Sequence, residues 1–587
     1  MKKRHLFIIA VTAILMIYMT GCGTESRPSY NLSVSSEPEN GGTVNPHGGE
    51  FEEGQNVQLT ATPNEGWVFT SWEGDITGNN NPEILRIDSN PYVKAIFEKR
   101  TYPLNLTVEG NGTILEEVVQ AKTVDHPHGT LVRLRPAPES GWRFSQWGGD
   151  RLSGNEVPVE ILIDQPVNVT ATFVPLEGSI RTFGGSDMDT GLSITETSDG
   201  GFALSGYTNS SDGDFQGQHM GDFDLVVIKI DSNGNLEWTR LFGDADLDQG
   251  YSITETTDGG IVVSGKNSAG SWTTIIMKLD LNGNVLWERT FESGSGDALT
   301  ATDDGGVVVT GWSASDAGVF EGLNRGKTDA YLMKLDTNGD VEWVQTYGGS
   351  LGDHGNSVLQ TADGGFLLSG WASSNDGMFE GLKDHTNDAG FLIRTDSAGN
   401  VKWAKFLTEE EDDHIYSFIG ETADVVETTN QKILFVYTDC TAGETVGSLL
   451  CRYHLKEVDQ NGETLWKKTF NGSGSDNIEG ITATGDAGVI LVGSTNSDDG
   501  DFSGLALKGE SDMLIHKVTS TGDTEWIKNY GGNRRETAAS IVQIQSGGYV
   551  FTGSFMSNDG DFQGMHRDGS DITVIKTDTN GELYQQW

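Results

Sequence analysis

From residue 178 to the last tryptophan, short runs of alternating apolar and polar or small residues recur in groups of four. In the first group, Leu192-Ser193-Ile194-Thr195-Glu196 precedes a turn at Ser198-Asp199-Gly200-Gly201, and Phe202 to Tyr207 alternates again with the strand period of two. A long polar stretch follows. The pattern resumes at Asp224–Ile230, turns at Asp231-Ser232-Asn233-Gly234, and leaves as Leu236 to Phe242. Asn-Gly suits a tight hairpin in which both central residues take positive φ. Each group therefore predicts a four-stranded antiparallel blade. The groups close on Trp238, Trp287, Trp343, Trp403, Trp466, Trp526 and Trp587, at steps of 49 to 63 residues. A period of that kind marks units that cannot bury an apolar face alone. Seven such units fit a closed ring better than an open stack.

The ends of the array support closure. Other units continue past the tryptophan, as in Trp238 to Gly243, but the seventh stops at Trp587, and its missing half resembles Ser179 to Gly185 ahead of the first unit. The two ends are expected to meet in one blade, leaving few free strand edges. The pattern Lys-x-Asp-x-Asn-Gly-x-x-Trp, seen at Lys229 to Trp238 and Lys334 to Trp343, resembles the tryptophan-docking signature of quinoprotein-type propellers. That resemblance implies the fold of residues 178–587. It implies no cofactor, because nothing in the chain matches the quinone-binding or metal residues of those enzymes.

Ahead of the array, Gly66-Trp67-Val68-Phe69-Thr70-Ser71-Trp72-Glu73-Gly74-Asp75 is matched by Gly141-Trp142-Arg143-Phe144-Ser145-Gln146-Trp147-Gly148-Gly149-Asp150. The correspondence extends to Gly42-Thr43-Val44 with Gly112-Thr113-Ile114 and to Ala95-Ile96-Phe97 with Ala171-Thr172-Phe173. Residues 30–99 and 102–174 thus read as two related β-rich modules near the lower size limit for a self-sufficient core. They resemble the divergent InlB B-repeat of bacterial surface proteins, which implies small stalk or spacer modules. Trp67, Trp72, Trp142 and Trp147 read as core anchors, with sugar or protein contact as the functional alternative. The fold class is all-β: two small modules followed by a seven-bladed propeller.

Met1 to Gly21 combines a basic start with an apolar run from Leu6 to Met19, too short to span a bilayer comfortably, and reads as a signal segment. Met19-Thr20-Gly21-Cys22 resembles a bacterial lipobox, which implies that Cys22 is lipid-modified after cleavage and that residues 22–29 form a tether. An uncleaved anchor is the alternative. The resemblance implies an exported protein whose membrane contact is the lipid alone, at the outer membrane or cell surface in a Gram-negative envelope. The formal net charge is −48, from 86 acids against 38 bases, which argues against nucleic acid as a partner because phosphate binding requires basic surface.

No catalytic signature is present: there is no His-Glu-x-x-His, no Gly-x-Ser-x-Gly elbow in a strand-turn-helix context and no Cys-x-x-Cys pair. His219, His385 and His566 fall in comparable loops of blades 1, 4 and 7 and read as solvent-facing. Asp212 with Asp214, Asp499 with Asp501, and Asp559 with Asp561 place oxygen ligands in glycine-rich loops, the donor type that Ca²⁺ accepts. The same residues equally stabilise turns through their own backbone hydrogen bonds. Cys440 and Cys451 flank a hairpin of blade 5 in an exported chain, where a disulfide persists.

Loop length indicates where a ligand lies. With strands A to D numbered outward, the A–B and C–D turns are tight and share one face, while the B–C loops and interblade links share the other. That loop face is the expected site, because function sits on loops held by a rigid scaffold. Its B–C loops carry Phe215, Phe320, Phe379, Phe502 and Phe562, with low points expected at blades 2 and 5 and a groove between them. Tyr207, Trp312 and Trp371 end their B strands there and offer flat rings to a sugar or an extended peptide. The expected protein is a non-catalytic, lipid-anchored envelope protein binding a glycan or a protein. Its rivals are a polysaccharide-active enzyme using acids on the propeller face and an envelope assembly scaffold.

Overall fold

The computed structural model describes residues 27–118, 125–139, 142–155, 157–175, 178–268, 272–382, 388–406, 423–442, 449–545, 547–584 and 587. Cys22 and His385 lie outside them. The chain divides into two compact units, residues up to 105 with 118–132 and 160–167, and residues 106–117, 133–159 and 168–587. Among the described residues no helix is long and apolar enough to cross a membrane.

In the first unit, a four-stranded sheet of Gly48–Glu52, Ser29–Glu37, Tyr92–Lys99 and Trp67–Gly74 faces a three-stranded sheet of Gly42–Asn45, Asn56–Pro63 and Glu83–Arg86. Strict alternation drives this packing: Val57, Leu59 and Ala61 are buried while their neighbours are not. Trp72 is 1% exposed, lies 4.9 Å from Phe69, and donates Nε1–H to the carbonyl of Asn80. In the second unit the motif repeats, with Trp147 2% exposed and 5.0 Å from Phe144. The second tryptophan of each motif is therefore core. The first, Trp67 or Trp142, is only half-buried.

Residues 178–587 form seven four-stranded antiparallel sheets arranged as a propeller. Blade 1 pairs strands A to D as Asp189–Glu196, Phe202–Thr208, Asp224–Ile230 and Leu236–Phe242. Each A strand packs against the A strand of the next blade, and the first meets the last, Glu536–Gln543. The A strands therefore surround the axis. In blade 7 the outer strand is Ile180–Phe183, paired antiparallel with Asp571–Thr577. The N-terminal end of the array thus completes the C-terminal blade, as the repeat pattern predicts.

Outer tryptophans join neighbouring blades. Trp238 donates Nε1–H to the carbonyl of Leu281 in the next blade at 2.9 Å, and Trp287 does the same to Thr337 at 3.0 Å. Each ring lies over the glycine of the next C–D turn. That turn is not the two-residue hairpin that Asn233-Gly234 suggests, for only Gly234 takes positive φ, at 75°. The Asp231 carboxylate accepts the N–H groups of Asn233 and Asn235, both at 2.8 Å, and so fixes the turn with one left-handed residue.

Around the axis, serines of the A strands tie blade to blade. Ser193 accepts the N–H of Ile253 and Ser252 that of Leu299, both at 3.2 Å, and Ser540 accepts that of Ile194 at 3.4 Å. Asp424 takes the equivalent position in blade 5 and accepts from Ile481. Blade 5 also exchanges its ion pair. Where blades 1, 2, 3 and 6 bury a lysine beside an A–B turn aspartate, as Lys278 with Asp258 at 2.7 Å, blade 5 buries Glu457 beside Lys432 at 2.8 Å.

The expected low point at blade 5 is instead an extended hairpin. Its B and C strands, Ile433–Ala442 and Leu449–Val458, continue pairing through Cys440–Cys451, Thr441–Leu450 and Ala442–Leu449, beyond the level at which blade 1 stops. Continued ladder hydrogen bonding and a disulfide hold it up. The Cys440–Cys451 bridge joins directly opposed residues whose Cα atoms are 4.0 Å apart. Beneath it, Asp439 receives Arg452 at 2.9 Å and His454 at 2.8 Å.

Candidate functional site

Antiparallel order places the B–C loops and interblade links on one face, and most of the loop aspartates serve that arrangement. Asp212 accepts the N–H of Ser186, Asp499 that of Ser473, and Asp559 that of Asn533, each fixing the link that enters its own blade. Asp214, Asp501 and Asp561 accept from Gly184, Asn471 and Gly531. These six carboxylates belong to three separate blades. Among the described residues no three His, Cys, Asp or Glu side chains converge to hold a metal ion. His219 pairs with Asp224 and His566 with Asp571, each at 2.8 Å within its own blade, so these two histidines, expected to face solvent, are instead turned in against buried aspartates, with side chains 20% and 10% exposed.

The loop phenylalanines Phe215, Phe320, Phe379, Phe502 and Phe562 each end a single 3-10 turn and are at most 2% exposed. They pin their own loops and are closed to a ligand.

Tyr207, Trp312 and Trp371 remain half-buried at the loop-side ends of their B strands. Tyr207 meets Phe223 edge-on at 5.3 Å. Trp312 and Trp371 come together across the boundary of blades 3 and 4 through a residue that sequence reasoning passes over. His354, opposite Trp371 on the A strand, stacks on Trp312 at 5.3 Å and lies 4.3 Å from Trp371. Burial holds its imidazole down at about 4, against the pull of Asp388, so the ring between the indoles is neutral at pH 7. The arc continues into blade 2, where the Lys266 ammonium lies 4.4 Å from the Trp272 ring and 5.2 Å from that of Tyr251. Trp272 is 42% exposed.

Tyr251 belongs equally to the axial channel, a cavity of 230 Å³ between the A strands. A β-bulge in each of six blades sets one residue out of register there: Leu192, Tyr251, Asp297, Asn356, Glu479 and Ala539. Bulges re-aim side chains, and these line the channel with Asp297, Asn356 and Glu479 beside Asp424. Burial pushes the Asp424 carboxyl up, against hydrogen bonds from Ser357 and from the backbone of Val425 and Ile481. The available signal is small-x-small in the A strands, as in Gly250-Tyr251-Ser252 and Gly296-Asp297-Ala298, where the middle position varies freely.

Residues 32–101 and 102–177 each match the family of the divergent InlB B-repeat domain. No curated protein matches the chain. The chain is similar to solved propellers at very low identity. An α-L-arabinofuranosidase of Fusarium graminearum shares 11% identity over 55% of this chain and 92% of its own, with a TM-score of 0.34. The Dos1 propeller shares 10% over 68% and 95%, with a TM-score of 0.37. An α-L-arabinanase of Penicillium chrysogenum shares 10% over 55% and 92%, also at 0.34. These likenesses concern the fold. Because glycosidases stand among these propellers, the expectation of a non-catalytic protein is withdrawn. The described chain is a propeller preceded by two repeat domains of the InlB B-repeat type.

Proposed function

We propose that the loop face of the propeller engages a neutral or cationic polysaccharide chain at the mouth of the axial channel. The observation that carries this reading is the aromatic arc of Trp272, Trp312, His354 and Trp371 beside a channel bearing Asp297, Asn356 and Glu479. Flat rings accept the apolar faces of sugars, and carboxylates accept their hydroxyl hydrogens. The acidic surface, at −48 overall, disfavours an anionic chain.

A second reading, cleavage of the bound chain, rests on Asp297 and Glu479 lining one channel, since glycoside hydrolysis uses two carboxylates. Export and lipid attachment at Cys22 are part of the same proposal and place the propeller at the cell envelope.

The test is incubation of the purified protein with a panel of neutral, cationic and anionic polysaccharides, reading both retention and release of new reducing ends. Retention of a neutral or cationic chain, weakened about tenfold or more by Trp312→Ala with Trp371→Ala, is the expected result. Unchanged retention in that double variant overturns the site. Loss of reducing-end release in Glu479→Gln with retention intact would establish cleavage.

A further inference from the structure

A second cavity of 790 Å³ lies wholly within the second unit, between the β-module segment around Trp142 and blades 7 and 1. Its size falls within the range of about 300–1,000 Å³ of pockets that enclose small ligands. We propose that it is a carbohydrate site separate from the loop face, taking a short, uncharged saccharide.

The walls are fixed. The N–H of Phe144 donates to the carbonyl of Gly564 in the B–C loop of blade 7 at 2.7 Å, and Arg567 Nε donates to the carbonyl of Pro138 at 2.7 Å. Arg135 pairs with Asp568 at 2.9 Å. Gly564 has φ of 75°, and a Cβ there would come 2.2 Å from the Phe144 carbonyl oxygen, so the close approach requires glycine. Three anchors within five residues make the cavity a built feature of the unit.

Its chemistry selects against charge. Both guanidiniums in the wall are already engaged. Arg567, with a side chain 2% exposed, lies 3.2 Å from the carboxylates of Asp214 and Asp571. Arg181 donates to the carbonyls of Gly178 and Gly234 and covers Trp587 at 4.9 Å. An anion therefore finds no free cation. What the wall does offer is the half-buried indole of Trp142 beside Leu115 and Leu236, with Glu139 and Gln216 at the rim. Among the described residues, the Glu139 carboxylate and the Gln216 amide make no hydrogen bond. An indole for the apolar face of a pyranose or furanose, with acceptors and an amide for its hydroxyls, matches a neutral sugar. The paired guanidiniums and the free carboxylate match neither a phosphate nor a uronate.

The experiment is calorimetric titration of the whole protein with neutral di- and trisaccharides, and with uronate oligomers of the same length. A neutral saccharide should bind, and Trp142→Ala should weaken it about tenfold or more. Gln216→Ala, at an exposed position, should weaken the same ligand while leaving the thermal midpoint unchanged, which guards against a folding defect in the tryptophan variant. Trp312→Ala should leave this binding intact, so failure here and failure of the loop-face site are separable. Absence of binding across the neutral panel overturns the proposal, as does preference for the uronates or retention of full affinity in both cavity variants.

Discussion

The indole of Trp287, in the outer strand of blade 2, covers Gly339 in the C–D turn of blade 3, where φ is 78° and a Cβ would lie 2.6 Å from the ring. Two independent constraints meet at that glycine, since the left-handed backbone disfavours any side chain and the ring leaves no space for one. Gly339→Ala is expected to destabilise the propeller by about 2–3 kcal/mol. Gly364→Ala makes the control, because it shares a positive φ of 77° but meets nothing within 4 Å. Urea midpoints should fall further for position 339 than for position 364, and equal shifts would remove the role assigned to the ring.

Reduction of Cys440–Cys451 should loosen the blade 5 hairpin without opening the ring. The bridge closes a short loop with a sequence separation of 11 residues, for which the chain-entropy estimate is about 2–3 kcal/mol. Hydrogen exchange is expected to accelerate at Thr438 to Ala442 and Leu449 to Tyr453 on reduction, with the A strands unchanged. Uniform acceleration across all blades would mean that the bridge supports the whole propeller.

Below pH 4 the A–B turns should weaken. Burial pushes the Asp258 carboxyl up, but hydrogen bonds from Lys278, Thr256 and Gly260 outweigh it and hold the group down at about 2. A folded pKa depressed below the unfolded value of about 3.9 gives stability that is present above pH 4 and lost as pH falls toward 2. Lys278 has a side chain 3% exposed while Asp258 is half open, so the carboxylate is partly screened by solvent. Asp258→Asn should cost about 1–2 kcal/mol at pH 7. The difference from the native protein should narrow steadily between pH 4 and pH 2. A gap independent of pH would show that shape, and not charge, is the relevant property of Asp258.

Particular residues show why some of this molecule is readable in its sequence and some is not. The Lys229-to-Trp238 stretch encodes strand, turn and docking ring in consecutive positions, so repetition alone exposes the blade and its period. Ring closure is equally local, because Ile180 to Phe183 is a recognisable copy of the missing strand. The site is different. His354 becomes part of an aromatic stack only because Trp312 reaches it from another blade, and no spacing along the chain announces that contact. Asp297 and Glu479 face the axis because bulges turn them there, and a bulge is one residue of register that alternation alone cannot reveal. In blade 5 the sequence suggests a low point, yet the strands Ile433–Ala442 and Leu449–Val458 stay paired past Cys440 and Cys451, a length of ladder that residue polarity does not reveal.

Arg181 should prove the residue on which closure depends most. It sits on the outer strand of blade 7, supplied from the N-terminal end of the array, and touches both neighbours of the seam. Its guanidinium donates to Ile180 at 3.0 Å on its own strand and to Gly178 at 2.9 Å just ahead of it, and to Gly234 at 3.1 Å and Asn233 at 3.3 Å in the turn of blade 1. It also covers the ring of Trp587 at 4.9 Å. Elsewhere in the ring the D strand continues unbroken into its tryptophan, but at this seam strand and tryptophan come from opposite ends of the array, so side-chain contacts must hold what covalent continuity holds in the other blades. Arg181→Ala removes those donors and leaves carbonyls of a nearly closed turn without partners, a loss of about 2–4 kcal/mol. Arg181→Lys keeps the charge but not the forked geometry and should recover only a minor part. Hydrogen exchange at Ile180 to Phe183 and Asp571 to Thr577 is the measurement. Faster exchange confined to those strands supports the seam as the weakest closure, whereas protection equal to that of the intact protein would assign closure to the backbone ladder alone.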